Sequence, residues 1–405
     1  TEANAGDQVE ILLADSPLYL ESGGQVADTG RVISDPAGQW EVRVSGTRKP
    51  APGAVILEGE VLSGTPQVGD AALVEVDRER RASIMRNHTA THLLHKVLRQ
   101  VLGEGVHQAG SSVAPDRFRF DFNYPQGLTQ HQLQEIERGV NQAILAGYPV
   151  IKETKSLDQA KAEGAIALFG EKYGQEVRTV QVGVDPDRFS YELCGGTHVS
   201  NTAEIGSFYI LSEGSLAAGV RRIEAVTGQK AYDFARSQLD LLGGLATNLE
   251  TSPADALQKV ESLQEHLRES EKHVEALQTL LANQVFATQL DNLQEVSGVP
   301  YLAVMIPDAS QETLRGLADQ FRQKHPSGVV VLGSAVEGKP SFIAAVTPDL
   351  IARGLRAGDL IKQVAAKVGG GGGGRPDLAQ AGGKDPTRIA EALDQVAAFI
   401  RENVK

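Results

Sequence analysis

The sequence predicts an α+β multidomain chain, and three patterns carry that prediction. Short Val/Ile/Leu-rich runs punctuated by Gly and Pro fill the first 77 residues; a helical period takes over near Arg78; and a heptad-like stretch over residues 254–292 separates two blocks of mixed strands and helices. The expected parts are a small antiparallel β-barrel over 1–77, an α+β domain over 78–247, a long helical or coiled-coil arm over 248–294, and a C-terminal α/β globular domain over 295–405. At 405 residues the chain is long enough for several cores.

Each part has its own residues behind it. "QVEILL", "WEVRVSG", "AVILEGEVL" and "AALVEVD" are strand-like, and "SGG", "DPAG", "KPAPGA" and "QVGD" break them. From Arg78 to about Leu102 the apolar spacing is helical. "QAGSSVA" and "RFRFDFNY" read as strands, and "TQHQLQEIERGVNQAILAG" as an amphipathic helix with Thr129 as N-cap. "VRTVQVGV", "GSFYILSEG" and "GVRRIEAVTG" are further strands. Val260, Leu263, Leu267, Val274, Leu277 and Leu281 fall on a/d positions of a helix that would reach about 55–60 Å. "YLAVMIP", "GVVVLGSA" and "SFIAAVT" begin the last block. Six glycines at 369–374, followed by Arg375, could form a flexible linker, but between apolar helices they are read as a loop whose backbone N–H groups turn toward phosphate, with Gly371, Gly372 and Arg375 as contacts.

Composition narrows the class. The single cysteine, Cys194, excludes an intrachain disulfide and fits a reducing, cytoplasmic setting. No apolar run approaches the ~18 residues that span a bilayer. A net charge of −13 argues against indiscriminate coating of nucleic acid. Local islands are basic, however. Residues 78–99 hold six Lys/Arg, Arg86 among them, against Glu79, and residues 350–388 hold seven against three acidic groups. Such islands can bind phosphates, or be solvated helix faces.

"RNHTATHLLH" (86–95) sets His88 and His92 four apart, on one helical face. "ELCGGTH" adds Cys194 and His198, again four apart. Three nitrogens and one sulfur make a plausible zinc set. Thr89 stands where zinc peptidases carry a glutamate, so the protease reading lacks its general base. Four protein ligands would argue for a structural ion and three plus water for a catalytic one; His198 is the ligand suspected of being loosely held. Thr91 could hydrogen-bond a substrate or only its own preceding turn. His95 reads as support, and Gln108 could face the same cleft. Arg222 and Glu224 alternate onto one strand face, to orient ligands, bind phosphate or pair with each other.

At these residues the chain resembles a known family. "RNHTATHLLH" with "ELCGGTHV" is similar to the editing domain of alanyl-tRNA synthetases and of the related free-standing alanyl-tRNA editing proteins. "SPLYLESGGQVADTG" (16–30), "GVRRIEAVTG" (219–228) and the glycine-run tail resemble the same family in the same order. Leu18 departs from it where an aromatic residue is common. The resemblance implies one Zn2+ per chain on His88, His92, Cys194 and His198, with substrate contact from Thr91 and Gln108. It implies hydrolysis of tRNA(Ala) mischarged with serine or glycine, and RNA contacts from Arg86, Arg222 and the glycine run. It also implies a tail that binds tRNA and supports a homodimer. The family's aminoacylation domain has no counterpart here. The simplest expectation is therefore a C-terminal fragment; the variants are a free-standing editor acting in trans and a non-catalytic zinc-stabilised tRNA-binding module. The threonyl-tRNA synthetase editing domain shares the two metal motifs but not the N-terminal motif or the tail.

Overall fold

The computed structural model describes residues 2–51, 54–167 and 174–404, which divide into two compact units, 1–244 and 245–405. Among the described residues no helix is long and apolar enough to cross a membrane.

The first unit opens with five strands, β1 (Gln8–Leu12), β2 (Gly30–Ser34), β3 (Glu41–Ala51), β4 (Ala54–Ser63) and β5 (Ala72–Val76). Their antiparallel ladders run in the order β1-β4-β3-β2-β5. Among the described residues no β1–β5 ladder closes the expected barrel, so the element is a five-stranded sheet with two edges. Val32, Trp40, Val42, Val44, Leu57 and Val61 form its core. The segment before β2 is tied to the helix beyond β5. Arg81 binds the buried Asp28 through Nε at 2.7 Å, and Asp28 also accepts from the Tyr19 N–H.

That helix, α1 (Arg78–Leu102), starts at Asp77, whose carboxylate accepts from the Arg80 N–H, and stops at Gly103, which adopts φ 113°. Its middle, from Asn87 to His95, is buried throughout. Ile84, Leu93, Leu94 and Leu98 pack against Phe118, Phe120 and Phe122 of β7 (Phe118–Asn123) and against Ile136 and Val140 of α2 (Gln130–Leu145). Each such side chain contributes roughly 1.5–3 kcal/mol of burial. Thr129 caps α2 with a reciprocal Gln132 contact, as its sequence predicts. β6 (Gln108–Val113) and β7 join β11 (Phe208–Ala217) and β12 (Val220–Thr227) in the order β11-β12-β7-β6. A third sheet orders β10 (Ser190–Leu193), β9 (Glu176–Val182) and β8 (Val150–Ser156), α3 (Leu157–Ala162) follows β8, and the unit closes into α4 (Gly228–Asn248), which crosses the unit boundary.

In the second unit α5 (Ala256–Leu290) is the expected long helix. Its a/d residues stay exposed, Leu267 at 61% and Leu277 at 66%, and only Ala256, Ala282 and Phe286 are buried. No second helix covers that stripe among the described residues, so a coiled coil within this chain is not what forms. Ala282 and Phe286 join Leu314, Leu317 and Phe321 of α6 (Gln311–Lys324) on one face of a six-stranded sheet. The sheet orders β13 (Gln294–Val296), β14 (Val299–Met305), β15 (Val329–Val336), β16 (Lys339–Val346), β18 (Leu378–Gly382) and β17 (Gly371–Gly374). Only β14 and β15 run parallel, across the α6 crossover. Val330 and Leu332 face α6, while Val329 and Val331 face α8 (Ala357–Lys367) and α9 (Ile389–Asn403), which explains the unbroken apolar run of β15.

The glycine run corrects its expectation. Gly371–Gly374 is not a loop but an edge strand, β17, paired antiparallel with β18. The strands approach so closely that a Cβ on Gly372 would overlap the Ala381 methyl, whereas Gly371 and Gly373 face open space. Gly372→Ala is therefore expected to destabilise the second unit by about 1–3 kcal/mol, and Gly373→Ala to change it by less than about 0.5 kcal/mol. Denaturant unfolding of the two variants checks the contrast; equal effects would refute the close approach.

Candidate metal centre

His88 and His92 lie one turn apart on α1, and Cys194 and His198 flank the Gly195–Gly196 turn after β10. One ligating atom from each of the four lies within 4.8 Å of the others, and all but Cys194 are fully buried. Cys194 Sγ is 3.3 Å from both His88 Nε2 and His198 Nε2, and His92 Nε2 is buried with no hydrogen-bond partner. These atoms could serve as donors to one cation.

Each imidazole is anchored at its other nitrogen. His92 Nδ1 donates to Glu192 Oε2 at 2.6 Å, and His95 Nδ1 donates to Oε1 of the same carboxylate at 3.0 Å. Thr89 Oγ1 donates to the Met85 carbonyl and accepts from the Val199 N–H, so toward His198 Nδ1, 3.2 Å away, it acts as acceptor. His88 Nδ1 lies 2.6 Å from Gln25 Oε1. Three Nδ1–H tautomers leave three Nε2 lone pairs for a metal, an arrangement typical of metal-bound histidine.

Electrostatics agree. Burial opposes a charged Cys194, yet His88 and His198 outweigh it and hold the thiol well below its usual range. Burial also opposes charge on Glu192, but His92 and His95 hold it down to about 2. For His92, Glu192 overcomes burial and pushes the ring up to about 10, whereas burial pushes His198 down to about 3. The turn itself is pinned. The Cys194 N–H donates to the Arg178 carbonyl at 3.0 Å, Arg178 donates to the Gly195 and Gly196 carbonyls, and Lys152 Nζ reaches the Val199 carbonyl at 3.2 Å.

A cleft of about 450 Å³ borders the turn between Cys194 and His198 without reaching the four donors themselves, lined by Pro17, Leu18, Tyr19, Arg81, Gly195 and Thr197 among others. A larger cavity of about 760 Å³, around Arg31, Arg43 and Arg78, touches none of the four donors.

The other predicted site residues are more scattered. Thr91 is buried and its hydroxyl donates to the His88 carbonyl at 2.7 Å, the local bond weighed against a substrate role. Gln108 begins β6, half-buried, and no contact ties it to the cluster. Arg86 Nε donates to the Glu204 carbonyl at 3.0 Å. Arg222 does not pair with Glu224: it makes a two-pronged bond to Asp121 across the sheet, and Glu224 takes Arg119 and Arg117 instead. Arg375 is exposed and paired with Asp377 at 3.2 Å. His198, suspected of looseness, is 2% exposed. Sequence reasoning missed Gln25 and Glu192 and saw Thr89 only as a missing glutamate. The one available signal was proximity: Glu192 lies two residues before Cys194.

Comparison with known proteins agrees with these motifs. Residues 1–80 match the model for tRNA synthetases class II (A), 177–224 the threonyl and alanyl tRNA synthetase second additional domain, and 298–402 the DHHA1 domain. The alanine–tRNA ligase of Oceanobacillus iheyensis is 46% identical over 404 residues, covering 100% of this chain and 45% of that protein. That of Bacillus subtilis is 46% identical over 400 residues, covering 99% and 45%. The C-Ala domain from Aquifex aeolicus alanyl-tRNA synthetase is 31% identical, over 27% of this chain and 97% of that one, at a TM-score of 0.26, too low to bear on the fold. The chain thus spans about 45% of the length of the curated relatives it matches. By that match along its whole length, the chain belongs to the alanine–tRNA ligase family.

Proposed function

We propose that this chain is the editing and tRNA-binding portion of an alanyl-tRNA synthetase, a deacylase that hydrolyses serine or glycine from mischarged tRNA(Ala) at a centre holding one Zn2+. The observation that carries the reading is the convergence of four donors from two motifs, with every imidazole Nδ1 already bonded elsewhere. The donor set fits zinc: neutral nitrogens, a thiol held toward thiolate, and a buried His92 Nε2 with no other partner. Bound there, zinc would supply a Lewis acid at the ester.

The remaining work falls to the protein. A synthetic site gains only a few kcal/mol from one methyl and cannot strongly reject an added hydroxyl, so a second, hydrolytic site is required. In this reading the cleft beside Tyr19 and Thr197 receives the tRNA's 3′ end, its Leu18 and Tyr19 walls limiting water. Thr91 has given its proton to the His88 carbonyl, so its oxygen is left to accept from the hydroxyl of serine. His88, His92, Cys194 and His198 are the ligands, Thr91 and Gln108 the substrate contacts, and Arg86, Arg222, Gly371, Gly372 and Arg375 the RNA contacts. Arg222 and Arg375 would have to share their charge with Asp121 and Asp377. The exposed apolar stripe of α5 supports a homodimer through the arm.

A second reading has one observation in its favour. Four protein donors would close a tetrahedral ion, as in structural zinc sites, leaving a zinc-stabilised tRNA-binding module without catalysis. Hydrolysis of Ser-tRNA(Ala) and Ala-tRNA(Ala), with zinc quantified in the same sample, separates the two. Loss of serine with alanine spared is expected; both esters intact on a zinc-loaded chain would leave the binding module. Cys194→Ala should abolish deacylation and lower zinc content together, and full activity in that variant would sink the ligand assignment. A chain ending at Asn248 should bind tRNA at least tenfold more weakly in filter-binding assays and still hydrolyse the ester. Unchanged tRNA affinity would refute the role given to the second unit.

A further inference from the structure

We propose that Gln25 is a positioning residue of the metal centre, whose side-chain oxygen holds His88 in the Nδ1–H form and so keeps its Nε2 lone pair turned toward Cys194. Gln25 belongs neither to α1 nor to the turn that carries Cys194; it ends the "SGGQ" turn before β2 and is wholly buried.

The orientation of its amide is fixed by a group that can only donate. The Thr197 backbone N–H lies 2.9 Å from Gln25 Oε1, with the Thr197 hydroxyl at 3.2 Å. Turned over, the amide would set its NH2 against that N–H. With Oε1 facing inward, His88 Nδ1, 2.6 Å away, must carry the proton. A neutral imidazole protonated at Nδ1 is unprotonated at Nε2, the atom 3.3 Å from Cys194 Sγ.

The surrounding backbone is built to hold this pair. Gly24 has φ 81°, and a Cβ on it would overlap the Ser111 carbonyl, so only glycine fits the approach of the turn to β6. There the Val113 N–H donates to the Gly24 carbonyl at 2.7 Å and the Val26 N–H to the Val113 carbonyl at 3.1 Å. On the other side, a Cβ on Gly196 would overlap the His88 ring and press on Gln25 Oε1. Gln25 Nε2 is left buried without a partner, an unfavourable arrangement for a side chain that had only to fill space. A carboxylate would offer the same acceptor without the stranded donor, though with an added buried charge, which makes Gln25→Glu the substitution that keeps the hydrogen bond.

The consequence for zinc rests on the proposed metal centre; the tautomer rests on the hydrogen bonds alone. The experiment therefore reads both, on the full chain. Long-range ¹H–¹⁵N spectra of the histidine rings are recorded after zinc removal, and zinc affinity is measured by competition with a chromophoric chelator. The unsubstituted chain and Gln25→Glu are expected to show His88 as Nδ1–H. Gln25→Leu should shift His88 toward Nε2–H, leave His92 on Glu192 unchanged, and bind zinc ten- to a hundredfold more weakly. His88 as Nε2–H in the unsubstituted chain would overturn the inference, as would a Gln25→Leu chain that keeps both tautomer and affinity. Should Gln25→Leu fail to fold, the unsubstituted chain and Gln25→Glu decide on the tautomer. An unsubstituted chain that takes up no zinc would overturn the metal reading while leaving the tautomer test standing.

Discussion

A buried imidazole must find an acceptor for its one proton, and three imidazoles packed around a thiol must all find theirs on the side away from it. That constraint organises the first unit. The acceptors come from three places: Gln25 in the turn before β2, Glu192 on β10, and Thr89 on α1 itself. For Glu192 to arrive, β10 must pair with β9 in its observed register, with Glu192 opposite Val180. For Gln25 to arrive, the residues before β2 must lie on β6, which the Gly24–Val113 bonds and the Asp28–Arg81 pair secure. The apolar core beneath α1 then does more than stabilise: by burying the helix from Asn87 to His95 it removes the water that would otherwise take those protons.

The second unit answers a different constraint. Its sheet is covered on both faces, so β15 and β16 are apolar on successive residues and leave no face for polar chemistry. What remains exposed is the edge. β17 presents backbone without side chains, because alternate glycines there are demanded by the closeness of β18 and the others have no Cβ to cover the strand. An edge of bare N–H and C=O groups beside Arg375 is suited to an extended or phosphate-bearing partner. α5 contrasts with it: an apolar stripe on a helix whose C-terminal end packs on the core through Ala282 and Phe286.

The sequence made some of this legible and hid the rest for physical reasons. Strands and helices with a clear period, such as β7, α2 and β15, are readable because one face or both must be buried. His88, His92, Cys194 and His198 are readable because ligand spacing on a helix and a turn is short-range. Gln25 and Glu192 are not, since their partners lie 63 and 100 residues away and neither residue type points to a metal by itself. The glycine run misled because composition marks conformational freedom without saying what uses it; here a neighbouring strand does. Arg222 and Glu224 alternate on one strand face, but each meets a nearer partner on β7 than the other.

The charges of the centre tie the hydrogen bonds to the metal. Two buried anions stand there, the Cys194 thiolate and the Glu192 carboxylate, each held below its ordinary range by histidines. Against them the metal-free protein sets one proton on His92, pushed up to about 10. Burial pushes His198 down to about 3. Buried anions in a water-poor site are expensive unless compensated. A divalent cation would compensate both anions and occupy His92 Nε2, the one atom of the four-donor set that is buried without a partner. Thr89 belongs to the same balance. A glutamate in its place would add a third buried anion next to His198; a threonine accepts the His198 proton without charge. Thr89, which stands where zinc peptidases carry a glutamate, thus supports His198 without adding to the buried negative charge.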